Sequence, residues 1–300
     1  MKHLRLILSL IAAFFCFHFA QALEQDADGY YLIHNAQELV EFRDSVNNDE
    51  NYNVYNARLA ADIDLSSICG IIDGKEVNWI PINAGNFDGA NHTISNLYIN
   101  SNEDDQALFG SVKSISNLIV DNAFVKSTGR FIAGIIVFES VIVNNCHFRG
   151  VVIGNDDVGG VACDGKSAVI ANCSNYGLII GNSHVSGIGD VAGMVNCYNR
   201  GTVKAMNDEA SGISCAGYNC FYLVNAYNSG RIEGKNARSI VSKENISYLD
   251  MSSCFSLENA TISTTKDRFV IDSTSFLNGA ILDSLNKYVK NNPIYTRWRN

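Results

Sequence analysis

A six-residue unit that begins with Asn and ends with Gly recurs along the middle of the chain, and it restricts the fold more than any other feature. Its copies, of the type Asn-Cys-x-Asn-x-Gly, are one looser copy followed by three clear ones, at 145–150, 172–177, 196–201 and 225–230. The final glycines are 27, 24 and 29 residues apart. Periods of about 20 to 50 residues are typical of stacked repeats, in which each unit buries a core only against its neighbours.

Each period contains short runs of β-branched residues, and it contains no apolar pattern long enough to form a helix. Runs closed by Gly, Asn and Ser indicate strands and turns. Three such strands close one coil of a parallel β-helix, and coils stack about 4.8 Å apart. A second glycine column precedes the units, at Gly134, Gly160, Gly187 and Gly212. We therefore predict an all-β, right-handed parallel β-helix, because a leucine-rich repeat needs a helical half and a left-handed coil needs a regular six-residue beat.

The chain divides into four predicted parts. Residues 1–22 resemble a secretory signal peptide, with Lys2 and Arg5 before an apolar segment and with Ala20 and Ala22 at the cleavage site. The apolar segment is too short for a membrane span, so we expect no span in the mature chain. The other parts are N-terminal strands with a capping helix at 23–84, the β-helix repeats at 85–272, and a C-terminal capping helix with a tail at 273–300.

Charge narrows the choice of partner. Removal of residues 1–22 leaves 20 basic against 31 acidic residues, a net charge of −11. A strongly acidic chain is a poor ligand for nucleic acid or anionic lipid. We therefore expect no nucleic acid partner, and the signal peptide leads us to expect a protein that is secreted, on the bacterial cell surface or in the periplasm.

Four stretches before the repeats resemble the GLUG-motif proteins of bacterial cell surfaces. They read AADIDL, WIPI, FDGANHTISNL and LFG, at 60–65, 79–82, 87–97 and 108–110. Family copies usually have Gly-Gly-(Leu/Ile)-Val-Gly at the glycine turns. At these turns this chain has Ala-Gly-Ile around Gly134 and Ser-Gly-Ile around Gly212. The resemblance implies an exported, pectate-lyase-like right-handed β-helix, often a repeat module beside other domains, including in immunoglobulin-cleaving surface peptidases. It does not imply catalysis, because the chemistry of such proteins lies in a separate domain.

One stretch matches a phosphate-binding pattern by letter only. Residues Gly160 to Ser167 satisfy Gly-x-x-x-x-Gly-Lys-Ser. That loop binds phosphates when a helix follows it, so that the helix N-terminus faces the anion. Here a β-branched strand is predicted at 168–171, so we do not expect ATP to bind.

Eight cysteines remain after removal of the signal peptide, and four of them share one repeat position. This column contains Cys146, Cys173, Cys197 and Cys254, with Ala226 in the coil between the last two. Since Ala replaces Cys there, we expect a buried column of unpaired thiols, and one stacked disulfide remains the alternative. The scattered histidines and the absence of a Cys-x-x-Cys pair predict no zinc site and no catalytic metal.

Two acidic pairs form the alternative candidate site. Asp156 and Asp157 precede Gly160 at the same distance as Asp208 and Glu209 precede Gly212. Acidic ledges of this type can bind Ca²⁺, and Asp157 and Glu209 should lie about 9.6 Å apart, near the spacing of an inverting glycosidase pair. Ser183 and His184 interrupt the ledge in the intervening coil, so solvated turn residues are the simpler interpretation.

The preferred candidate site is a strip of tyrosines. Tyr176, Tyr198 and Tyr227 lie beside a column of Asn175, Asn199 and Asn228, whose stacked amides should hydrogen-bond along the axis and tolerate left-handed backbone geometry. Exposed tyrosines in a row can stack on sugar rings. We predict a non-enzymatic exported protein that binds or adheres to a glycan or a protein. A carbohydrate-active lyase or hydrolase is the second hypothesis, and a structural envelope component is the third.

Overall fold

The fold is a parallel β-solenoid of about eight turns with few helices, as the repeat predicts. The structure, a computed structural model, describes residues 23–137, 141–215, 221–242, 249–257, 261–262 and 270–271, and also 283, 285–287 and 290. The predicted signal peptide, Cys220 and most of the predicted C-terminal cap lie outside these residues. Among the described residues, no helix is both long enough and apolar enough to cross a membrane.

A short helix packs over the first coil. The elements of this region are β1 (Tyr30–Ile33), α1 (Ala36–Asn47), one turn of 3₁₀ helix (Tyr52–Val54) and β2 (Asn56–Leu59). Asn35 caps α1, as predicted, because its side-chain oxygen accepts a hydrogen bond of 3.0 Å from the backbone N–H of Glu38. Leu39, Phe42 and Val46 are buried in the core, so the apolar face of α1 covers the first coil.

The remaining strands are short and follow one another with turns between them. The first group is β3 (Ile63–Asp64), β4 (Gly70–Ile72), β5 (Lys75–Val77), β6 (Ile82–Asp88), β7 (Thr93–Ser95), β8 (Tyr98–Ser101), β9 (Phe109–Ser127), β10 (Ile132–Ala133) and β11 (Ile136–Val137). The second is β12 (Ile142–Ile153), β13 (Asp156–Gly159), β14 (Ala162–Ala171), β15 (Ser174–Asn175), β16 (Leu178–Gly181), β17 (Ser183–Ser186), β18 (Gly189–Val195), β19 (Tyr198–Asn199) and β20 (Thr202–Ala205). The third is β21 (Glu209–Ser211), β22 (Tyr222–Val224), β23 (Tyr227–Asn228), β24 (Ile232–Glu233), β25 (Asn236–Arg238), β26 (Asp250–Ser252), β27 (Phe255–Leu257), β28 (Thr261–Ile262) and β29 (Val270–Ile271).

These strands stack into parallel sheets that run along the axis of the solenoid. β10, β13, β17, β21 and β25 form a five-stranded sheet, and 22 other strands form one sheet that continues around the corners. Only β4 and β5 pair antiparallel among the described strands, as a hairpin outside the coils. Each strand pairs with the equivalent strand of the next coil, so residues one repeat apart lie above one another.

The first Asn of each unit forms a corner of the coil. The backbone has a φ of 54° at Asn145, 56° at Asn172, and 57° at Asn196 and Asn225. Asn adopts this left-handed region more readily than most residues with a side chain. The amide of Asn196 donates to the side-chain oxygen of Asn172 at 2.6 Å, and the amide of Asn225 donates to that of Asn196 at 2.8 Å. These bonds join the corners into a ladder.

The fourth residue of each unit forms a second, interior ladder. Asn175, Asn199 and Asn228 are fully buried. The amide of Asn175 donates to the oxygen of Asn199, and the amide of Asn199 donates to the oxygen of Asn228, both at 2.8 Å. The predicted hydrogen bonds along the axis are therefore confirmed. The left-handed geometry is not found at these residues, since it belongs to the corner asparagines.

The interior Asn ladder lies against the glycine column that precedes the units. A Cβ atom on Gly187 would lie 2.7 Å from Cγ of Asn199, and one on Gly212 would lie 2.5 Å from Cγ of Asn228. Such distances are shorter than any side-chain contact allows. The two columns repeat together in the sequence because Gly160, Gly187 and Gly212 each make room for one buried amide, while Gly134 makes room for the ring of Phe148.

The cysteine column faces the core, as predicted. Cys146, Cys173, Cys197 and Ala226 are fully buried, and Cys254 is 8% exposed. No disulfide bond joins the cysteines that the structure describes. The sulfurs contact backbone carbonyls instead, as where Cys173 donates to the carbonyl of Ala171 at 3.1 Å. In the described part of the chain, the column is thus a ladder of thiols.

The stretch that matches the phosphate-binding pattern runs as a strand. β14 contains residues 162–171 without interruption, so no helix follows the final Ser of the pattern. Val169 and Ile170 pair with Ile142 and Val143 of the preceding coil. The segment therefore has the repeat register that the sequence predicts, and it lacks the helix N-terminus that a phosphate-binding loop requires.

Helical residues near the C-terminus contact the last coils. Residues 283, 285–287 and 290 are helical. Leu285 is 3% exposed and packs in one cluster with Tyr227, and Tyr198 and Phe255 border that cluster. The helical prediction for this region agrees with the residues that are described.

Candidate binding surface

Two outward columns of the repeated unit carry the candidate site. The third residues of successive units pair in register, and this column contains His147, Ser174, Tyr198, Tyr227 and Phe255. Successive side chains of a strand point to opposite faces. Since the residues on either side of the third position face the core, the third residue points outward.

The fifth residues form the second outward column. Arg149, Tyr176 and Arg200 lie on three successive coils. The guanidinium carbon of Arg149 is 5.3 Å from the ring centroid of Tyr176, and that of Arg200 is 6.0 Å from it. Both arginines are exposed, and Tyr176 is 37% exposed. One aromatic ring is therefore in cation–π contact with two guanidinium groups. We refer to Arg149, Tyr176, Tyr198 and Arg200 as the arginine–tyrosine cluster.

A hydrogen-bond chain connects the exposed tyrosine to less exposed side chains of the third column. The hydroxyl oxygens of Tyr176 and Tyr198 are 2.5 Å apart, and the two rings meet edge to face with centroids 5.7 Å apart. Tyr198 also hydrogen-bonds to Ser174, whose hydroxyl oxygen is 2.7 Å from Nδ1 of His147. Because Ser174 is fully buried, the chain holds Tyr176 in one orientation, and little side-chain entropy is left to lose on binding.

The pKa shifts of Tyr198 and His147 both favour the neutral form of the side chain. Burial, and then the hydrogen bond with Tyr176, raises the pKa of Tyr198 to about 12. Burial, and then the positive charge of Arg149, lowers the pKa of His147 below its ordinary value of 6.5. The positive charge of the cluster therefore comes from Arg149 and Arg200 alone.

The predicted tyrosine strip is only partly present. Tyr198 and Tyr227 share the third column, whereas Tyr176 lies in the fifth, so the three rings do not form one row. Tyr227 is 6% exposed because it packs against Leu285. The ring of Tyr176 contacts guanidinium groups from both neighbouring coils. The surface thus presents charged hydrogen-bond donors where the sequence predicts open rings for sugar stacking.

A half-buried apolar row borders the cluster. Val151 and Leu178 each follow the glycine that ends a unit, and they pair in register on the outer side of β12 and β16. In the preceding coil Val151 pairs with Phe124, whose ring stacks on Tyr98 with centroids 5.4 Å apart. A ligand that extends beyond the arginines would meet this apolar surface.

The acidic ledge is interrupted, and its members are engaged in local contacts. Asp157 accepts a hydrogen bond of 2.8 Å from Arg130, and one of its oxygens is 3.5 Å from Nδ1 of His184. The register places His184 between Asp157 and Glu209, as the sequence predicts. Glu209 accepts from the hydroxyl of Ser242 at 3.0 Å.

The other two acids of the ledge are also hydrogen-bonded. Asp156 accepts from the hydroxyl of Ser183, and Asp208 accepts from the side-chain amide of Asn236 at 2.7 Å. Among the residues that the structure describes, no group of three or more His, Cys, Asp and Glu side chains is placed to hold a metal ion. These acids therefore support turns and ion pairs, and they do not converge on one point.

Nucleophilic chemistry finds little support in the described thiols. Burial raises the pKa of Cys197 to about 12 and that of Cys254 to about 11, and it raises the pKa of Cys173 and Cys215 as well. A cysteine nucleophile needs the opposite shift, since the thiolate is the reactive species. These thiols act as core side chains.

Sequence reasoning missed four residues of this surface: His147, Arg149, Ser174 and Arg200. The available signal is positional, because each of them occupies the third or the fifth place of a repeated unit. The predicted strip grouped residues by type, so it combined tyrosines of the third and the fifth columns. Grouping by position in the repeated unit separates these two columns.

Comparison with known proteins yields a likeness to a solved structure. No protein-family model matches the chain, and no curated protein matches its sequence. The chain resembles a candidate immunoglobulin A1 protease from Bacteroides ovatus, known from a crystal structure at 1.30 Å resolution. The TM-score is 0.67 at 21% sequence identity, and the match covers 88% of this chain and 89% of the other. At that identity the likeness shows the fold alone, so the chain is a β-solenoid protein.

Proposed function

We propose that residues 23–300 form an exported, non-catalytic binding module that holds a glycan at the arginine–tyrosine cluster. The observation that carries this proposal is an exposed tyrosine flanked by two exposed arginines and fixed by a hydrogen-bond chain. Preorganised polar groups beside apolar surface are what glycan recognition requires, since sugars present hydroxyls and apolar C–H faces. The apolar row at Val151 and Leu178 provides the second element.

Binding is favoured over catalysis by the state of the titratable groups. Burial raises the pKa of the Cys197 thiol and lowers the pKa of His147, and Ser174 is fully buried. The acids of the ledge are hydrogen-bonded to neighbours and do not face a common point. General acid–base chemistry needs a titratable group within about 3 Å of the reacting atom, and these groups are not exposed together.

The resemblance to the GLUG-motif proteins supports the exported location. The signal-like residues 1–22 point to secretion, to the cell surface or to the periplasm, and a protein partner at that surface is the variant of this proposal to which the same test applies. In a purely structural envelope component, the arginine–tyrosine cluster would bind no ligand. Loss of Tyr176 would then have no effect on retention of the protein by a glycan or an envelope fraction.

The test is retention of purified residues 23–300 on a glycan array and on immobilised envelope fractions. The double variant Tyr176→Ala and Tyr198→Ala should lose retention. Phe221→Ala is the matched control, because Phe221 is 52% exposed and precedes β22, away from the cluster. Retention that is equal in the double variant and the wild type would place the binding surface elsewhere.

A carbohydrate-active lyase or hydrolase is the second candidate. It is favoured by one observation, that Asp157 and Glu209 share a column two coils apart. Incubation with plant and bacterial polysaccharides, with and without Ca²⁺, would reveal new reducing ends or unsaturated products. Because the B. ovatus protein is described as a candidate immunoglobulin A1 protease, immunoglobulin A1 belongs in the same panel. Turnover that disappears in Asp157→Asn or Glu209→Gln would replace the binding assignment.

A further inference from the structure

Arg149 and Arg200 differ from four other arginines of the described chain, because those four form ion pairs. Their partners are carboxylates, and the four are Arg43, Arg58, Arg130 and Arg231. Arg149 and Arg200 instead have the ring of Tyr176 as their contact, and within the described residues no carboxylate lies within 4.0 Å of either. The full chain has 31 acidic residues for 22 basic ones, so two arginines that have no acid partner form a distinct positive site.

The geometry of the pair suits carboxylates that are spaced along a polymer. The two arginines are two coils apart, which corresponds to about 9.6 Å along the axis. Each guanidinium is a planar fork that can bind a carboxylate through two parallel hydrogen bonds. Tyr176 lies between them and adds a neutral hydroxyl, which is held in place by Tyr198.

We propose that Arg149 and Arg200 bind the carboxylates of an acidic saccharide chain that lies across successive coils. This inference rests on the proposed glycan-binding function and specifies its ligand as a uronate-containing or similarly carboxylated sugar polymer. The sugar rings would contact the apolar row at Val151 and Leu178. A nucleic acid fits this surface poorly, because its affinity comes from many phosphate contacts and the net charge of the protein is −9.

The experiment compares one sugar backbone in two charge states. Oligogalacturonate and its methyl ester have the same rings, but the ester lacks the carboxylate charge. Residues 23–300 are titrated with both by calorimetry, and the same pair is repeated with alginate oligosaccharides and their carboxyl-reduced form. We expect the acidic form to bind at least tenfold more tightly than the neutral form, and we expect the difference to decrease as salt rises.

Variants assign this preference to the arginines. Arg149→Gln and Arg200→Gln should each weaken binding of the acidic form by roughly tenfold, and they should weaken binding of the neutral form by much less. Arg149→Lys should recover only part of the loss, since it keeps the charge and lacks the planar fork. Arg231→Gln is the matched control, because Arg231 is exposed, lies one coil beyond Arg200 and is paired with Glu233. All three positions are exposed, so the thermal midpoint should not change.

The outcomes separate this inference from the proposed function. Equal affinity for acidic and neutral forms, with loss of both in Tyr176→Ala, would overturn the acidic ligand and retain a glycan-binding module. Binding of neither form, nor of any glycan on the array, would overturn both. An acidic preference that survives the double variant Arg149→Gln and Arg200→Gln would contradict the assignment of the site.

Discussion

Asn199 and Gly187 are in direct contact inside the solenoid, so that a Cβ atom on Gly187 would lie 2.7 Å from Cγ of Asn199 and 2.1 Å from the carbonyl oxygen of Gly212. The contact joins two columns that the sequence repeats at separate positions. A substitution at Gly187 therefore tests how rigid the Asn ladder is.

Gly187→Ala should destabilise the protein by about 1 to 3 kcal/mol, because the added methyl group overpacks a fully buried site. Gly234→Ala is the matched control, since its new Cβ would lie 3.2 Å or more from every neighbour. Urea unfolding followed by circular dichroism measures both. Similar midpoints for the two variants would show that the ladder yields to the methyl group.

Asn199→Ala should cost about 2 to 5 kcal/mol, because it removes two ladder hydrogen bonds. It takes from the buried side-chain NH₂ of Asn175 the acceptor that Asn199 provides, and it leaves the side-chain oxygen of Asn228 with the backbone N–H of Gly230 as its donor. Asn236→Ala, at an exposed Asn that donates to Asp208, should cost less than about 1 kcal/mol. The free energy of unfolding in urea provides the comparison. A small loss for Asn199→Ala would mean that water replaces the amide.

The fold could be predicted from the sequence because the repeated residues determine the path of the backbone. Asparagines form the corners, glycines make room for buried side chains, and the repeat period gives the length of one coil. The hairpin of β4 and β5 was not foreseen, since it lies outside the repeat and pairs antiparallel. The burial of Tyr227 depends on Leu285, a residue 58 positions later, and no local pattern reports such a contact.

The candidate site was only half predictable for a related reason. The tyrosines were visible as residue types, but the site depends on which residues occupy equivalent places on adjacent coils. Arg149 and Arg200 lie on either side of Tyr176 because all three are the fifth residues of successive units. The contact is therefore evident from position in the repeated unit and not from residue type.

The cysteine ladder should be reduced in the folded protein. Titration of denatured, unreduced protein should find most of its eight thiols free, while the native protein should react slowly because the described thiols are buried. Fewer than four free thiols after denaturation would indicate stacked disulfides. Addition of reductant before denaturation is the control for the total count.

Stability should fall as the pH rises from about 9 to about 12. The pKa of Cys197 rises from 9.0 to about 12, that of Cys254 from 9.0 to about 11, and that of Tyr198 from 10.0 to about 12, in each case chiefly through burial. The folded state holds these protons more tightly than the unfolded state, so their contribution is complete below pH 9 and is lost through that window.

Unfolding free energy measured at several pH values checks this expectation. Cys197→Ala should reduce the slope between pH 9 and 12, since it removes one of the three buried protons. Tyr198→Phe should do the same at the upper end of the window. A stability that is constant up to pH 12 would contradict the burial of these groups.

Processing should occur after Ala22. Expression of the full chain in a bacterial host should give exported protein whose N-terminal sequence is Leu23-Glu-Gln, because the charged start, apolar middle and small-residue exit occur together. Replacement of Ala20 and Ala22 by Asp should stop cleavage. A blocked N-terminus at Cys16, with attached lipid, would contradict the prediction.

The register of the coils also has a consequence for how such a chain can change over generations. Equivalent side chains are joined across 27, 24 and 29 residues, so coil length varies while the corners stay aligned. Duplication of one complete coil in the gene would add a rung to both Asn ladders and extend the outer columns. Deletion of a single residue inside a repeated unit would turn its buried amide toward solvent. Gain or loss of complete coils is therefore the change in chain length that keeps the columns of this surface aligned.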